Sequence, residues 1–264
     1  MQPNFSASIA ATYRQYMVPM LFEPYARALA RRFAGTEGHL LETAAGTGIV
    51  TRQLATISNR LKIVATDLSP AMLEVARAEV PSPNVEWLAA DAGALPFANE
   101  SFDAVVCQFG AMFFPDKPKA FGEAARVLRV DGRCVLAVWD RIGENEITSA
   151  VVEAVGALFP GDPPRFLSNV PHGYFQRVQI EADLRQGGFR DVTFETVALR
   201  SLAASAADAA VALCAGTPLR NELEARAPDR LASVIDDVTA SLQRRFGDGP
   251  IDAKMQALFV EARR

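Results

Sequence analysis

The stretch with the clearest capacity for chemistry is "LLETAAGTGIV", residues 40–50, where an apolar run gives way to small residues and then resumes. In an open α/β sheet, a glycine-rich turn between the first strand and first helix brings backbone N–H groups close to a ligand, and the helix N-terminus favours negative charge. The turn therefore points to a nucleotide-like ligand. It departs from the dinucleotide fingerprint G-x-G-x-x-G, since Ala44, Gly46 and Gly48 are followed by Thr51 where the last glycine would fall. Asp67, in "KIVATDLS", stands where a second strand ends. A carboxylate there accepts from both hydroxyls of a ribose lying over the turn, or else caps the next helix. Asp91, in "AADA", can accept from an exocyclic amine while the Ala92 N–H donates to a ring nitrogen; taken alone it also reads as a loop acid.

Other reactive side chains are few. The two imidazoles are His39, at the very start of the first strand and reading as a surface or edge residue, and His172, in "PHGYF", a candidate general base with Tyr174 beside it. Cys107, Cys134 and Cys214 form no C-x-x-C pair, and the first two fall in apolar runs, so buried thiols are expected and no metal site.

These residues need a frame, and the chain alternates regularly enough to supply one. "HLLETA" reads as a strand, "IVTRQLATIS" as a helix, "KIVATDLS" as a strand and "AMLEVARAEV" as a helix with Ser69 as its cap and Pro70 at its first position. "VEWLAADA" and "FDAVVCQFG" read as strands, the second apolar enough for burial on both faces. "KPKAFGEAARVLR" is a helix, "DG" at 131–132 a turn, and "RCVLAVWD" the next strand. Alternation of this kind predicts a parallel, doubly wound sheet. Residues 8–34 read as two or three short helices around Pro19 and Pro24, and 144–178 as helix plus a Pro-rich loop. "QIEADLRQGG" reads as a helix, "FRDVTFETVALR" as one bent strand or two short ones, and 202–264 as an Ala-rich helical tail.

Taken in order, "LLETAAGTG", "ATDLSPAMLEVAR", "AADAGALPFANESFDAVVCQFGAMFFPD" and "EAARVLRVDGRCVLAVW" resemble the class I S-adenosylmethionine-dependent methyltransferases, particularly the small-molecule branch of ubiquinone and menaquinone biosynthesis. The resemblance spans roughly residues 38–140. It implies a seven-stranded, mostly parallel α/β sheet, doubly wound and Rossmann-like, with one antiparallel strand near the C-terminus. In its light "LRQGGFRDVTFETVAL" is similar to the last helix and final strand pair. The implied activity is in-line methyl transfer from S-adenosylmethionine to a small-molecule acceptor, leaving S-adenosylhomocysteine. By the same resemblance Glu42 orients the methionine end of the donor, and Ala44, Ala45, Gly46, Thr47 and Gly48 offer it backbone. Asp67 binds ribose, Leu68 and Met72 flank adenine, Asp91 with Ala92 reads its edge, and Gln108 lies near the methionine moiety or the acceptor. The family has glycine where Ala44 stands, and alanine is accommodated there if that residue is extended.

The expected organisation is one methyltransferase domain over 1–264: a helical lid at 1–37, the donor-binding core at 38–140, a substrate cap at 141–178, the last helix and strands at 179–200, and a helical extension at 201–264. Tyr13, Tyr16, Met17, Met20, Phe22 and Phe166, with His172 and Tyr174, are expected to line the acceptor side of a mobile lid. A net charge of −4 shows no global basic surface for nucleic acid, and no apolar run is long enough for a membrane span. No signal-peptide pattern opens the sequence, so a cytoplasmic protein is expected. Two other functions fit part of this pattern: a nicotinamide-dependent oxidoreductase, since Asp67 also suits that cofactor's ribose, and a non-catalytic binding protein of the same fold. The first lacks the last fingerprint glycine and a clear Tyr-x-x-x-Lys pair. Assembly leaves no sequence signature here.

Overall fold

Strand-forming and helix-forming segments alternate in the computed structural model much as the residue pattern predicts; residues 12–58 and 60–264 are described. Strand β1 (Gly38–Thr43) is buried from Leu40 onward and pairs in parallel with β2 (Leu61–Asp67) and β4 (Phe102–Gln108). β2 pairs in parallel with β3 (Val85–Ala89), and β4 with β5 (Leu128–Trp139). With β6 (Asp191–Ala203) and β7 (Ile251–Arg263) the sheet has seven strands in the order β3-β2-β1-β4-β5-β7-β6, six parallel and one, β7, antiparallel. The order reverses between β1 and β4, the switch point where open α/β sheets bind ligands beyond their carboxyl ends.

Helices α3 (Ile49–Ile57), α4 (Pro70–Glu79), α5 (Lys117–Val127) and α8 (Arg177–Gln186) punctuate the strands. Capping explains two of their starts. The Ser69 hydroxyl accepts from Met72 N–H with Pro70 in the first turn, and the Asp116 carboxylate accepts from Lys119 N–H.

Two local expectations need correction. The "DG" pair does not separate a helix from a strand, because β5 already begins at Leu128. The pair sits in a break of the register: pairing with β4 passes from Phe102↔Leu128 to Ala104↔Arg133, and Asp131 turns left-handed at φ +63°. A Cβ on Gly132 would lie 2.9 Å from the Arg129 carbonyl oxygen, which reserves the place for glycine. The tail is also not helical throughout. Helices α9 (Ala206–Ala215), α10 (Leu219–Arg226) and α11 (Leu231–Phe246) occupy its first part, but 251–263 is β7, the antiparallel strand expected near 189–200. Ile251, Ala253 and Met255 are buried alternately with more exposed neighbours, a period of two that the helix-favouring Ala and Met types obscure.

The chain divides into two compact units. The sheet unit contains Tyr25–Trp139, Tyr174–Val197 and Ala257–Arg264. The helical unit gathers the chain up to Pro24 with Asp140–Gly173 and Ala198–Gln256. In the helical unit, α11 packs on α9 and on α6 (Glu146–Leu158), the π-type helix α1 (Tyr13–Phe22) packs on α9, and α10 packs on α9 and α7 (Phe166–Asn169). In the sheet unit, Tyr25 and Leu29 from α2 (Glu23–Arg31) and the following Phe33 are closed off from solvent. Tyr25 stands edge-on to Phe109 and Trp139, and its hydroxyl donates to the Val197 carbonyl at 3.1 Å. Tyr25, Ala26, Leu29, Ala30 and Phe33, in the segment expected to belong to the lid, are therefore core of the sheet unit. Residues 1–11 of that expected lid lie outside the described residues. Among the described residues no helix is long and apolar enough to cross a membrane.

Candidate methyl-donor site

The turn after β1 is built on three positive φ angles. Ala44 stands at +53°, Gly46 at +56° and Gly48 at +81°. The condition under which alanine is accommodated without cost, an extended backbone, is not met: Ala44 is left-handed, a conformation that disfavours any Cβ, so the first position of the turn carries strain. The bend directs Ala45 N–H to the Thr66 carbonyl at 2.9 Å and Gly46 N–H to an Asp67 carboxylate oxygen at 2.8 Å. Space around Gly46 is open, with nothing within 4 Å of where a Cβ would stand, whereas a Cβ on Gly48 would lie 2.7 Å from the Trp87 ring. A ligand can thus approach the backbone at Gly46, while Gly48 is required by packing.

Asp67 is fixed from both sides. Besides Gly46 N–H it accepts from Ser69 N–H at 2.8 Å, so it spans the turn and the start of α4. Burial pushes its carboxyl above the usual range, opposed by the N–H groups of Ser69, Gly46 and Leu68. Leu68, next in the chain, is a large apolar side chain left 52% exposed, and Met72 is buried in α4. Asp91 follows β3, exposed, accepting from Gly93 N–H through its side chain and from Ala94 N–H through its carbonyl, and Ala92 lies between them half-buried. Gln108 ends β4. Glu42, Asp67, Asp91 and Gln108 therefore mark the carboxyl ends of β1 to β4, four neighbours in a parallel array.

Glu42 lies beneath the turn, buried, accepting from the Thr51 hydroxyl at 2.6 Å. Burial chiefly raises its pKa to about 8, reinforced by Asp67 and opposed by Thr51. Sequence reading missed Thr51 as a site residue. It occupies the position of the last glycine in a dinucleotide fingerprint, and here its hydroxyl is buried on Glu42 instead of leaving room for close helix packing. Trp87 was missed as well, since a half-buried strand aromatic carries no signal that it faces a glycine. Thr66, whose hydroxyl donates to the Glu42 carbonyl at 2.9 Å, completes the underside.

The expected general bases do not fit that role. Tyr174 lies in the sheet unit and its hydroxyl donates to Asp183 at 2.8 Å, with Lys117 Nζ 4.8 Å from the ring centre. Burial and the Asp183 carboxylate push that phenol far above its ordinary value. His172 is buried in the helical unit, with Nδ1 2.8 Å from the Asp140 carbonyl oxygen; since a carbonyl only accepts, Nδ1 carries the proton. Burial lowers its pKa to about 4, too weak for a base working near neutrality. Of the expected acceptor-side residues, Met17, Met20 and Phe22 are buried, and Tyr13, which stacks on Phe22, Tyr16 and Phe166 are half-buried, all in the helical unit. The three thiols are buried, and burial raises Cys107 to about 11 and Cys214 to about 12.

Residues 41–136 match the family model described as a methyltransferase domain. The chain is similar to a demethylmenaquinone methyltransferase of Thermus thermophilus, 34% identical over 187 residues, covering 70% of this chain and 76% of that one. It is similar to the enzyme of the same name from Thermotoga maritima, 33% identical over 166 residues, covering 59% of this chain and 71% of that one. Among solved structures, phosphoethanolamine N-methyltransferase 2 of Haemonchus contortus, in complex with phosphomonomethylethanolamine and S-adenosylhomocysteine, aligns with a TM-score of 0.63 at 18% identity, covering 99% of this chain and 59% of that one. The YcgJ protein of Bacillus subtilis aligns at 0.56 and 21% identity, covering 91% of this chain and 98% of that one. These two likenesses concern the fold.

Proposed function

This chain belongs to the class I S-adenosylmethionine-dependent methyltransferases of the ubiquinone/menaquinone branch, and from that premise we propose that it methylates a small-molecule acceptor, with the donor held at the carboxyl ends of β1 to β4. The observation that carries the site assignment is the junction of Gly46 N–H with Asp67 beside open space at Gly46. S-adenosylmethionine, when bound, supplies a methyl group on a sulfonium whose leaving group is already neutral. The chain's task is then alignment.

In this reading the turn from Ala44 to Gly48 offers the methionine end the open backbone surface at Gly46, with Glu42 beneath it. Asp67 retains lone pairs beyond those used by Gly46 and Ser69, and takes the ribose hydroxyls with them. The exposed Leu68 and the buried Met72 give adenine an apolar bed, while Asp91 and the Ala92 amide read its edge. Gln108 adds a polar group at the end of β4. No side-chain base is assigned, because Tyr174 is held as a donor and His172 is a feeble one. The acceptor is proposed to be small and partly apolar; the names of the two bacterial relatives support demethylmenaquinone as the first compound to try.

Calorimetry with S-adenosylhomocysteine, run beside S-adenosylhomocysteine release with demethylmenaquinone and a panel of other acceptors, tests both parts. Asp67→Ala removes two charge-assisted hydrogen bonds to ribose, each about 1.5–3 kcal/mol, and affinity should fall roughly a hundredfold or more. Undiminished affinity in folded Asp67→Ala protein refutes the donor site, and binding without turnover on any small acceptor refutes the acceptor class.

A further inference from the structure

Two left-handed residues face the switch point. Ala44 follows β1 at φ +53°, Phe109 follows β4 at φ +52°, and the two strands are parallel neighbours in register at Glu42↔Val106. Phe109 is held by stacking on Trp139, centroids 3.9 Å apart and planes 6° from parallel. Ala44 has no comparable anchor on its own strand. Its methyl instead meets the next residue of the opposite turn: a Cβ on Gly110 would stand 2.4 Å from the Ala44 Cβ and 2.9 Å from the Cys107 sulfur.

Gly110 has an ordinary backbone, φ −106° and ψ −36°, which any residue adopts. Conformation favours glycine at 44 and space demands it at 110, yet the chain carries alanine at 44 and glycine at 110. One methyl fills the gap between the turns, and it comes from the side where the backbone is strained. We infer that Gly110 is a positioning residue for the methyl donor, acting through Ala44: the empty place at 110 receives the Ala44 methyl and so holds the left-handed bend that aims the Ala45 and Gly46 amides. This rests on the donor site assigned above. A side chain at 110 would push Ala44 out of that bend, and with it the Gly46 junction to Asp67.

The test is a swap, read by calorimetry with S-adenosylhomocysteine and by thermal unfolding. Gly110→Ala should weaken binding about ten- to a hundredfold through overpacking. Adding Ala44→Gly moves the methyl across the gap and should restore most of the affinity, and this double variant decides the matter even if Gly110→Ala alone fails to fold. Cys107→Ala added to Gly110→Ala relieves only the other close contact and should restore little. The inference is overturned if Gly110→Ala binds as the wild type does, if the swapped pair stays as impaired as Gly110→Ala or does not fold, or if Cys107→Ala rescues as well as Ala44→Gly. Asp67→Ala in the same series separates the two levels. Its loss of affinity beside an unaffected Gly110→Ala removes the pairing and leaves the donor site, while its undiminished binding removes the site beneath both.

Discussion

The sheet unit and the helical unit differ in how their sequence is spent. In the first, one continuous run from Tyr25 to Trp139 carries five of the seven strands and every residue assigned to the donor. In the second, three separated stretches must meet before α9, α11 and α6 have anything to bury against. A site for a widely shared ligand can be written locally, in short strand-end motifs. The helical unit has no such motif, and its stability depends on contacts between distant segments.

The largest effect that could break this contrast lies in the helical unit. Leu213 in α9 is closed off from solvent, and Leu213→Ala should cost about 2–5 kcal/mol of stability, the usual range for a buried leucine. Affinity for S-adenosylhomocysteine should hold within about twofold, because the donor residues all belong to the sheet unit. A parallel fall in affinity would show the division to be energetically empty.

A smaller effect, of opposite sign in the two units, should appear with pH. Glu42 titrates near 8 in the fold against an ordinary 4.5, so between those values the folded protein keeps a proton that the unfolded chain has shed. Its contribution is intact below about 4.5 and declines as pH rises toward 8. His172, lowered from 6.5 to about 4, behaves inversely: its contribution is intact above 6.5 and declines as pH falls toward 4. Urea denaturation across this range should show Glu42→Gln flattening the alkaline decline and His172→Gln the acid one. Slopes unchanged from the wild type would remove the assigned protonation states.

The smallest effect compares two matching caps. Ser69 Oγ accepts from Met72 N–H at 3.4 Å in the sheet unit, and Ser205 Oγ from Asp208 N–H at 3.1 Å in the helical one. Each change to alanine should cost about 1 kcal/mol of stability. Donor affinity should survive both, since Asp67 uses the Ser69 backbone N–H and not its hydroxyl. A loss confined to Ser69→Ala would show that the cap and the Asp67 clamp act as one.

The same contrast governs what the residues disclose by themselves. Ser69 and Pro70 announce α4 because capping is local chemistry, and Asp67 is legible because it ends an apolar run beside that cap. Ala44 is not, since nothing in its own neighbourhood tells that Gly110, 66 positions away (110 − 44), makes room for its methyl. Thr51 offers a faint signal, a hydroxyl on the face that α3 turns inward, but its partner Glu42 belongs to the strand before. The last strand hides for another reason: alanine and methionine at 253, 255 and 257 suit a helix, and only pairing in the sheet, between β5 and β6, makes this segment a strand.

That pairing bears on how the molecule is made. Trp139 and Ala257 are partners 118 positions apart (257 − 139), so β5 is complete long before β7 has been synthesised. At about 5–20 residues per second, a ribosome takes roughly 6–24 s to cover the distance. For that time the nascent β5 presents an unpaired, strongly apolar edge from Cys134 to Trp139, the kind of edge that recruits foreign strands. The helices α9 to α11 emerge in the interval, and the sheet closes only when the final segment threads back between β5 and β6. A stall or truncation before Ile251 would therefore release a chain whose donor motifs are all present but whose sheet is still open.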